Sequence, residues 1–259
     1  MSLKSTIFKL LLLILLVSQG TNASVLNKLK YYTEDYPPYN YLDDQIIKGV
    51  AVDLLVESSR LLGSSIEPND IKLIPWPRAY HIARTVPNSV LLSTARTPAR
   101  ENLFKWVGPI GATRVVILAK KNSNIKINNI QDLAQYPIGV VKDDIAEHLM
   151  LQAGVSSAMM EYANTSKPLS RMLAFDRFKL WAYEERAARI AIEQSGMNNS
   201  AFEVVFVLKK LSLYYAFHLA TDDQIIALFQ NTLDKLKETS PDSTPSYYDS
   251  VLHQYGIFE

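Results

Sequence analysis

The stretch LLSTARTPARENLFKWVGPIG, residues 91–111, passes from an apolar run into a polar turn that carries two arginines. Residues 90–92 predict a buried strand, residues 93–98 the strand end and a turn, and residues 99–103 a short helical step. Ligands of α/β proteins bind at the carboxyl ends of strands, because helix N-termini and free backbone N–H groups converge there. The stretch therefore predicts an α/β fold with a ligand site at this strand end.

Arg100 is the candidate ligand anchor in this turn, since it lies just inside the predicted helix start. A guanidinium keeps its proton, and its planar fork matches a carboxylate through two parallel hydrogen bonds. The same residue type in a turn is also consistent with a solvated surface arginine. Residue type alone leaves both interpretations open.

A longer pattern surrounds this arginine, in which Thr-Pro-x-Arg-Glu is followed by an aromatic residue and Gly-Pro-Ile. Its members are Thr97, Pro98, Arg100, Glu101, Phe104, Gly108, Pro109 and Ile110. The pattern resembles the signature region of the family 3 periplasmic solute-binding proteins, the polar amino-acid receptors of ABC importers. The resemblance implies an α/β fold of the periplasmic-binding-protein type II, with two lobes joined by two hinge crossings. It also implies that Arg100 holds the α-carboxylate of the ligand.

The chain before this stretch predicts a strand at residues 26–33, a helix at 50–62, a strand at 71–74 and a helix at 79–84. The first helix follows from apolar residues at helical spacing, with Gly63 as its C-cap. The loop between that first strand and helix resembles the opening of the same family. The matching residues are Tyr36, Pro38, Tyr39, Gly49 and Asp53.

The resemblance implies that the rings of Tyr36 and Trp76 flank the ligand side chain, although loop tyrosines are equally consistent with packing. Arg78, beside this wall, either selects an acidic ligand side chain or pairs with a surface carboxylate. Family members often carry a hydroxyl or a small residue at the position of Ala95. Here the backbone N–H of Ala95 and the hydroxyl of Ser93 or of the next residue remain to bind the carboxylate.

A second alternating unit lies between two β-rich runs, residues 113–119 and 211–219. Its predicted elements are a helical step at 130–133, strands at 138–141, 159–162 and 178–183, and helices at 144–153, 167–175 and 185–194. One β/α lobe inserted into another through two extended crossings is typical of a hinged binding protein. We expect residues 24–115 and 213–259 to form the first lobe and residues 116–212 the second. A long helix is predicted at 222–238, and residues 240–259 form a tail that packs on the first lobe.

Two acidic residues of the second lobe are candidates for the other side of the site. Asp144 opens a predicted helix whose free N–H groups suit an anion, and its side chain is also a suitable N-cap. Glu184 lies where the resembling family has an acid that receives the ligand's ammonium group. A first-turn glutamate stabilised by the helix dipole is the alternative, and Glu185 competes for either role.

Residues 1–23 predict a secretory signal peptide, with Lys4 and Lys9 before an apolar core at 10–17 and small residues up to Ala23. The core is short for a membrane span, so a retained anchor is the lesser alternative. The absence of cysteine excludes a lipoprotein anchor. The predicted location is the periplasm.

Composition and missing motifs narrow the function further. Lysine plus arginine number 27 and aspartate plus glutamate 26, so the sequence predicts no nucleic-acid partner. There is no G-x-S-x-G, P-loop, G-x-G-x-x-G or H-E-x-x-H motif, and the four histidines are scattered singly. Neither a cofactor nor a metal site is therefore expected.

These observations predict a monomeric periplasmic protein that captures a small carboxylate-bearing ligand, an amino acid or a relative, for a membrane ABC permease. A periplasmic dehydratase of the cyclohexadienyl or arogenate type is one alternative, because such enzymes resemble these receptors and Glu184 would serve as general acid. A sensory binding module without transport is the other.

Overall fold

The computed structural model describes residue 26, residues 28–239 and residues 244–258. The predicted signal peptide lies outside the described residues. The strands are β1 (Lys30–Thr33), β2 (Tyr41–Asp43), β3 (Ile46–Lys48), β4 (Ile71–Leu73), β5 (Ser89–Ala95), β6 (Lys105–Lys120), β7 (Ile138–Val141), β8 (Met160–Ala163), β9 (Leu180–Glu184) and β10 (Phe202–Phe217). The helices are α1 (Val50–Leu61), α2 (Trp76–Thr85), α3 (Ile145–Gln152), α4 (Ser166–Ala174), α5 (Glu185–Gln194), α6 (Asp223–Leu236) and α7 (Tyr247–Gln254). Within the described residues, every helix is too short or too polar to cross a bilayer.

Eight strands form one mixed sheet in the order β4-β1-β5-β10-β6-β9-β7-β8. In the first lobe β1 runs parallel to β4 and β5. In the second lobe β7 runs parallel to β8 and β9. The long strands β6 and β10 pair antiparallel with each other from Lys105 and Phe217 at one end to Lys120 and Phe202 at the other. They belong to both lobes, which is the two-lobed α/β arrangement that the sequence predicts.

The two shared strands extend well beyond the apolar runs that predicted them. The part of β10 at residues 207–210 is largely exposed. Strand β5 pairs with β10 at residues 213–217, and β9 pairs with β6 at residues 115–118. The middle of β10 therefore connects the lobes. The missed residues 202–208 are mainly β-branched and aromatic, so they carry a strand signal of their own.

Helix α1 buries an apolar face against the sheet and begins directly after Gly49. A side chain at Gly49 would overlap the carbonyl of Tyr39, and its φ of 126° favours glycine. Helix α2 begins at Trp76, three residues before the predicted start, because Pro77 is well tolerated in a first helical turn.

The described part of the carboxyl-terminal tail forms helix α7, which packs against α1. Just after this helix the hydroxyl of Tyr255 donates to Asp53 Oδ2 at 2.8 Å and accepts from the backbone N–H of Gly49 at 3.2 Å. The tail thereby fastens the loop that leads into α1. The packing of the tail on the first lobe was predicted from the sequence, but the helix was not.

Candidate functional site

Arg100 is buried, with 1% of its surface exposed, directly after strand β5. It is the N-cap of a three-residue 3₁₀ turn, Glu101–Leu103, and so precedes the helical step that was predicted to contain it. Its guanidinium donates to the carbonyl of Ala95 at 3.4 Å and to the carbonyl of Asp143 at 3.1 Å. The side chain therefore points into the molecule, and the surface interpretation does not hold.

Two aromatic rings pack on this guanidinium. Its Cζ lies 5.5 Å from the ring centroid of Trp76 and 5.0 Å from that of Tyr80, and the two rings stack on each other. Such contacts stabilise a cation electrostatically and hold its orientation. Burial lowers the pKa of Arg100. Trp76 was a predicted site residue, whereas Tyr80 was not, although it lies one helical turn later and so shares a face of α2.

The backbone of Asp143 joins the two lobes at this point. Its carbonyl accepts hydrogen bonds from Arg100 Nη2 at 3.1 Å and from Trp76 Nε1 at 2.9 Å, both in the first lobe. Asp143 and Ser93 both have left-handed backbone conformations, with φ of 60° and 51°. Such conformations are uncommon outside glycine; Ser93 lies within β5 and Asp143 follows β7, one in each lobe.

Glu184 ends strand β9 and is the N-cap of α5. Its Oε2 accepts from the backbone N–H of Ala187 at 2.7 Å, whereas its buried Oε1 has no hydrogen-bond partner among the described residues. Burial raises the pKa of Glu184 to about 7. Glu185, the competing candidate, forms ion pairs with Arg114 and Arg189. Glu184 is thus the member of this pair whose carboxylate is buried and half unpaired.

Aromatic rings of both lobes meet beside this carboxylate. Tyr36 of the first lobe stacks on Tyr39 at 5.4 Å and meets Tyr183 of the second lobe edge-on at 5.9 Å. Tyr183 in turn stacks on Trp181 at 5.5 Å. Tyr36 and Trp76 lie on the first lobe, and each reaches a residue of the second lobe.

The structure adds Glu34, which the sequence analysis did not select. It follows β1 directly and is 7% exposed. Its carboxylate has no hydrogen bond or ion pair within the described part of the chain. Burial raises the pKa of Glu34 well above its usual value, and the nearby Asp144 and Asp35 raise it further. Glu34 directly follows a strand, as Arg100 follows β5, so its position in the sequence already indicated a candidate for the ligand site.

The remaining candidates differ in their placement. Asp144 is 6% exposed and caps α3, accepting from the N–H of Ala146 at 3.0 Å; burial raises its pKa. The hydroxyl of Ser93 is buried and has no partner among the described residues. Arg78 is exposed and lies outside the buried group.

The sequence profile of the bacterial extracellular solute-binding proteins, family 3, matches residues 30–241. The chain belongs to this family. None of the curated proteins matches the chain significantly.

Solved structures with a similar fold include a histidine kinase sensor domain with similarity to periplasmic binding proteins, at a TM-score of 0.77 and 18% identity, covering 89% of this chain and 97% of that one. An ancestral arginine-binding protein bound to arginine aligns at a TM-score of 0.72 and 17% identity, and the alignment covers 88% of this chain and 97% of that one. The substrate-binding protein of an amino acid ABC transporter aligns at a TM-score of 0.69 and 15% identity, and the alignment covers 87% of this chain and 98% of that one. At these identities the similarity establishes the shared fold.

One cluster in this solute-binding protein has the residue types of a metal site. Ligating atoms of Asp143, Glu147 and His148 lie within 4.8 Å of one another. Glu147 Oε2, however, already accepts from the N–H of Asp143 at 2.5 Å. Burial and the charge of Arg100 lower the pKa of His148, so a guanidinium competes with any cation there. We assign no metal to it.

The arrangement suits binding. A buried cation, three buried carboxylates and several aromatic rings converge from both lobes around one interface, and polar atoms of Glu184, Tyr183 and Ser93 have no partner in the described part of the chain. Buried polar groups are normally hydrogen-bonded, so unpaired ones at an interface between lobes indicate a place for a polar ligand.

Proposed function

We propose that this family 3 protein captures a small carboxylate-bearing ligand, an amino acid or a close relative, between its two lobes in the periplasm. As a monomer it then presents the ligand to the permease of an ABC importer. The observation that carries this proposal is the buried guanidinium of Arg100 at a strand end. It faces the interface between the lobes, as its bond to Asp143 indicates.

Each lobe supplies part of the proposed site. Arg100 holds the carboxylate, assisted by the hydroxyl of Ser93 and the N–H of Ala95. The rings of Tyr36 and Trp76 enclose the ligand side chain, and Glu184 receives the ammonium group. Asp144 acts on the ligand from the second lobe through its negative charge and not through a direct contact, because its side chain caps α3. Exposed Arg78 has no role in this site.

Binding is coupled to closure in this proposal. A ligand that contacts Arg100 and Glu184 together touches both lobes, so it binds the closed form better than an open one and shifts the population toward it. Amino-acid-binding neighbours with the same fold support this mode of action.

The test is a thermal-shift screen of amino acids, polyamines and small carboxylates, followed by calorimetry on the ligand that stabilises the protein. Replacement of Arg100 by Ala should weaken binding by roughly 2–5 kcal/mol, because the ligand carboxylate loses its buried partner. Arg78→Ala is the control, since it removes the same charge from an exposed position. Equal affinities for Arg100→Ala and wild type would refute the assignment.

A sensory role is the second candidate, because the histidine kinase sensor domain shares the fold over 89% of this chain. Deletion of the gene separates the two roles. Loss of uptake of radiolabelled ligand supports transport, whereas intact uptake with loss of a transcriptional response to the ligand supports sensing.

The raised pKa of Glu184 would also suit a general acid, as the dehydratase alternative requires. Burial alone accounts for that pKa in a binding protein. Turnover of arogenate or prephenate by the purified protein is the measurement that would favour the enzyme.

A further inference from the structure

A cavity of about 370 Å³ opens beside the hinge, where strands β6 and β10 pass between the lobes. Its volume is within the range of cavities that hold small organic molecules. The basic side chains in its wall are those of Arg114, Arg186, Arg189 and Lys210. The acidic ones are those of Glu184 and Glu185. Basic side chains therefore outnumber acidic ones in this wall, four against two.

Two of these cations are forced together by the strands that carry them. Arg114 and Lys210 stand directly opposite each other in the antiparallel pair of β6 and β10. Opposite residues of such a pair point to the same face of the sheet with their Cβ atoms roughly 5 Å apart, and like charges there repel each other. Lys210 is exposed, and its ammonium group has no hydrogen bond or ion pair with any described residue. An anion held between the two side chains would remove this repulsion.

The two carboxylates of the cavity wall do not neutralise its cations. Glu185 is shared, because its Oε2 lies 2.7 Å from Arg114 Nε and its Oε1 lies 3.1 Å from Arg189 Nη2. Arg114 Nε is nevertheless a buried atom without a hydrogen bond among the described residues. Glu184 uses Oε2 to cap α5, and burial raises its pKa to about 7, so near neutral pH it carries only part of a negative charge.

Arg186 is the cation that reaches from this cavity to the first lobe. It donates to the hydroxyl of Tyr39 at 3.1 Å and to the carbonyl of Ala112 at 3.5 Å, which are both neutral acceptors. It also lies in the first turn of α5, where the helix dipole adds positive potential.

We propose that the hinge cavity is a second binding site, which takes a multivalent oxyanion such as a phosphate group or a polycarboxylate. Arg114 and Lys210 hold the anion from the two strands, and Arg186 and Arg189 hold it from α5. A guanidinium has five N–H donors, so an arginine that already pairs with Glu185 keeps donors for a second acceptor. The site does not depend on the proposed amino-acid ligand.

The experiment is a calorimetric titration of inorganic phosphate and of citrate into the protein near neutral pH, with sodium chloride at matched ionic strength as the reference. Lys210→Gln should weaken the binding of the anion about tenfold, as the loss of a hydrogen bond between charged groups does. Lys209→Gln is the matched control and should keep the wild-type affinity. Lys209 is also exposed, but as the next residue of β10 it points to the other face of the sheet.

Glu185→Gln tests the site in the opposite direction. This change removes the carboxylate that pairs with Arg114 and Arg189, so both guanidinium groups become free to hold the anion. Phosphate and citrate should therefore bind severalfold more tightly than to the wild type. A gain in affinity cannot result from a loss of folded protein.

Saturable binding of either anion, weakened in Lys210→Gln and kept in Lys209→Gln, supports the site. Binding of phosphate alone identifies a tetrahedral group as the occupant, and binding of citrate alone identifies carboxylates. Heats no larger than those of sodium chloride would overturn the proposal, since they would show a general effect of salt. Equal losses of affinity in Lys210→Gln and Lys209→Gln would overturn it too, and so would unchanged or weaker binding by Glu185→Gln.

Discussion

One carboxylate oxygen of Glu184 caps helix α5, and the other has no hydrogen-bond partner among the residues that the structure describes. The cap favours the charged form through the N–H of Ala187, whereas burial disfavours it, and burial has the larger effect. The pKa therefore rises from the usual 4.5 to about 7. Between these two values the folded protein retains a proton that the unfolded chain has lost.

The free energy of unfolding should fall as the pH rises through this window, because the state that binds more protons is favoured at low pH. The contribution of Glu184 to the free energy of unfolding is present below about pH 4.5 and lost above about pH 7. It amounts to at most about 3 kcal/mol. Glu184→Gln should therefore lose less stability between pH 5 and pH 8 than the wild type, as urea denaturation measures.

Glu193→Gln is the control for this prediction, because Glu193 is an exposed carboxylate on the same helix. Its stability should change between the two pH values as in the wild type. If Glu184→Gln keeps the full wild-type change, the carboxyl of Glu184 is already ionised at pH 5 and its burial in the apo protein is not as described.

Strand β7 shows how an element's packing positions the site. It leads into Asp143 and Asp144, and Gly139 within it lies against the ring of Phe178. A Cβ at this position would overlap that ring, with two further ring atoms at 2.6 Å. Here glycine is required by space and not by its backbone conformation.

Gly139→Ala should therefore destabilise the protein by about 1–3 kcal/mol, the usual cost of overpacking a core. Urea denaturation gives the value. The partner variant Phe178→Leu should make room, so the alanine should cost less in the Phe178→Leu background than in the wild type. Equal costs in both backgrounds would mean that the ring is not what the new methyl group meets.

The type and order of the helices and strands could be predicted wherever a buried face places apolar residues at the helical or strand spacing. Strand β7 and helix α5 have the predicted bounds, and the fully buried β5 contains the strand predicted at residues 90–92 and extends it to Ser89 and Ala95. The shared strands β6 and β10 were predicted too short. In β6 the missed part contains Gly108, Pro109 and Gly111, which are unfavourable in strands. In β10 the missed residues 202–208 are mainly β-branched and aromatic, so a strand signal was present there and was not used.

The site was predictable only in part. Arg100 was selected from its residue type and its position after a strand, and Glu184 because it lies where the resembling family has an acid; both are buried. Glu34 had the same signal but no matching family position. The carbonyl of Asp143 carries no signal at all, because a backbone group is common to every residue type. Its role depends on how the lobes approach each other.

For the molecule as a whole, the proposed closure depends on contacts between the lobes. Trp76 Nε1 donates to the Asp143 carbonyl at 2.9 Å, and Arg186 of the second lobe donates to the Tyr39 hydroxyl of the first at 3.1 Å. These bonds are made by the protein itself and so favour closure whichever ligand is bound. A ligand then needs to supply only the remaining part of the free energy of closure.

Trp76→Phe removes one of these bonds and keeps an aromatic ring on Arg100. A hydrogen bond contributes about 1 kcal/mol, so the ratio of closed to open forms should fall about fivefold. Without added ligand, the radius of gyration from small-angle X-ray scattering should then increase if the wild type is largely closed. The affinity for the ligand should fall, by up to the same factor, because fewer molecules are in the binding-competent form.

Trp106→Phe is the matched control, since Trp106 Nε1 donates to the Glu101 carbonyl at 3.1 Å within one lobe. This variant loses an indole hydrogen bond of the same kind without affecting the contact between lobes. Its radius of gyration and affinity should therefore equal those of the wild type. If both variants behave alike, the bond from Trp76 to Asp143 does not govern closure, and the balance must be set by the ion pairs and aromatic contacts elsewhere along the interface.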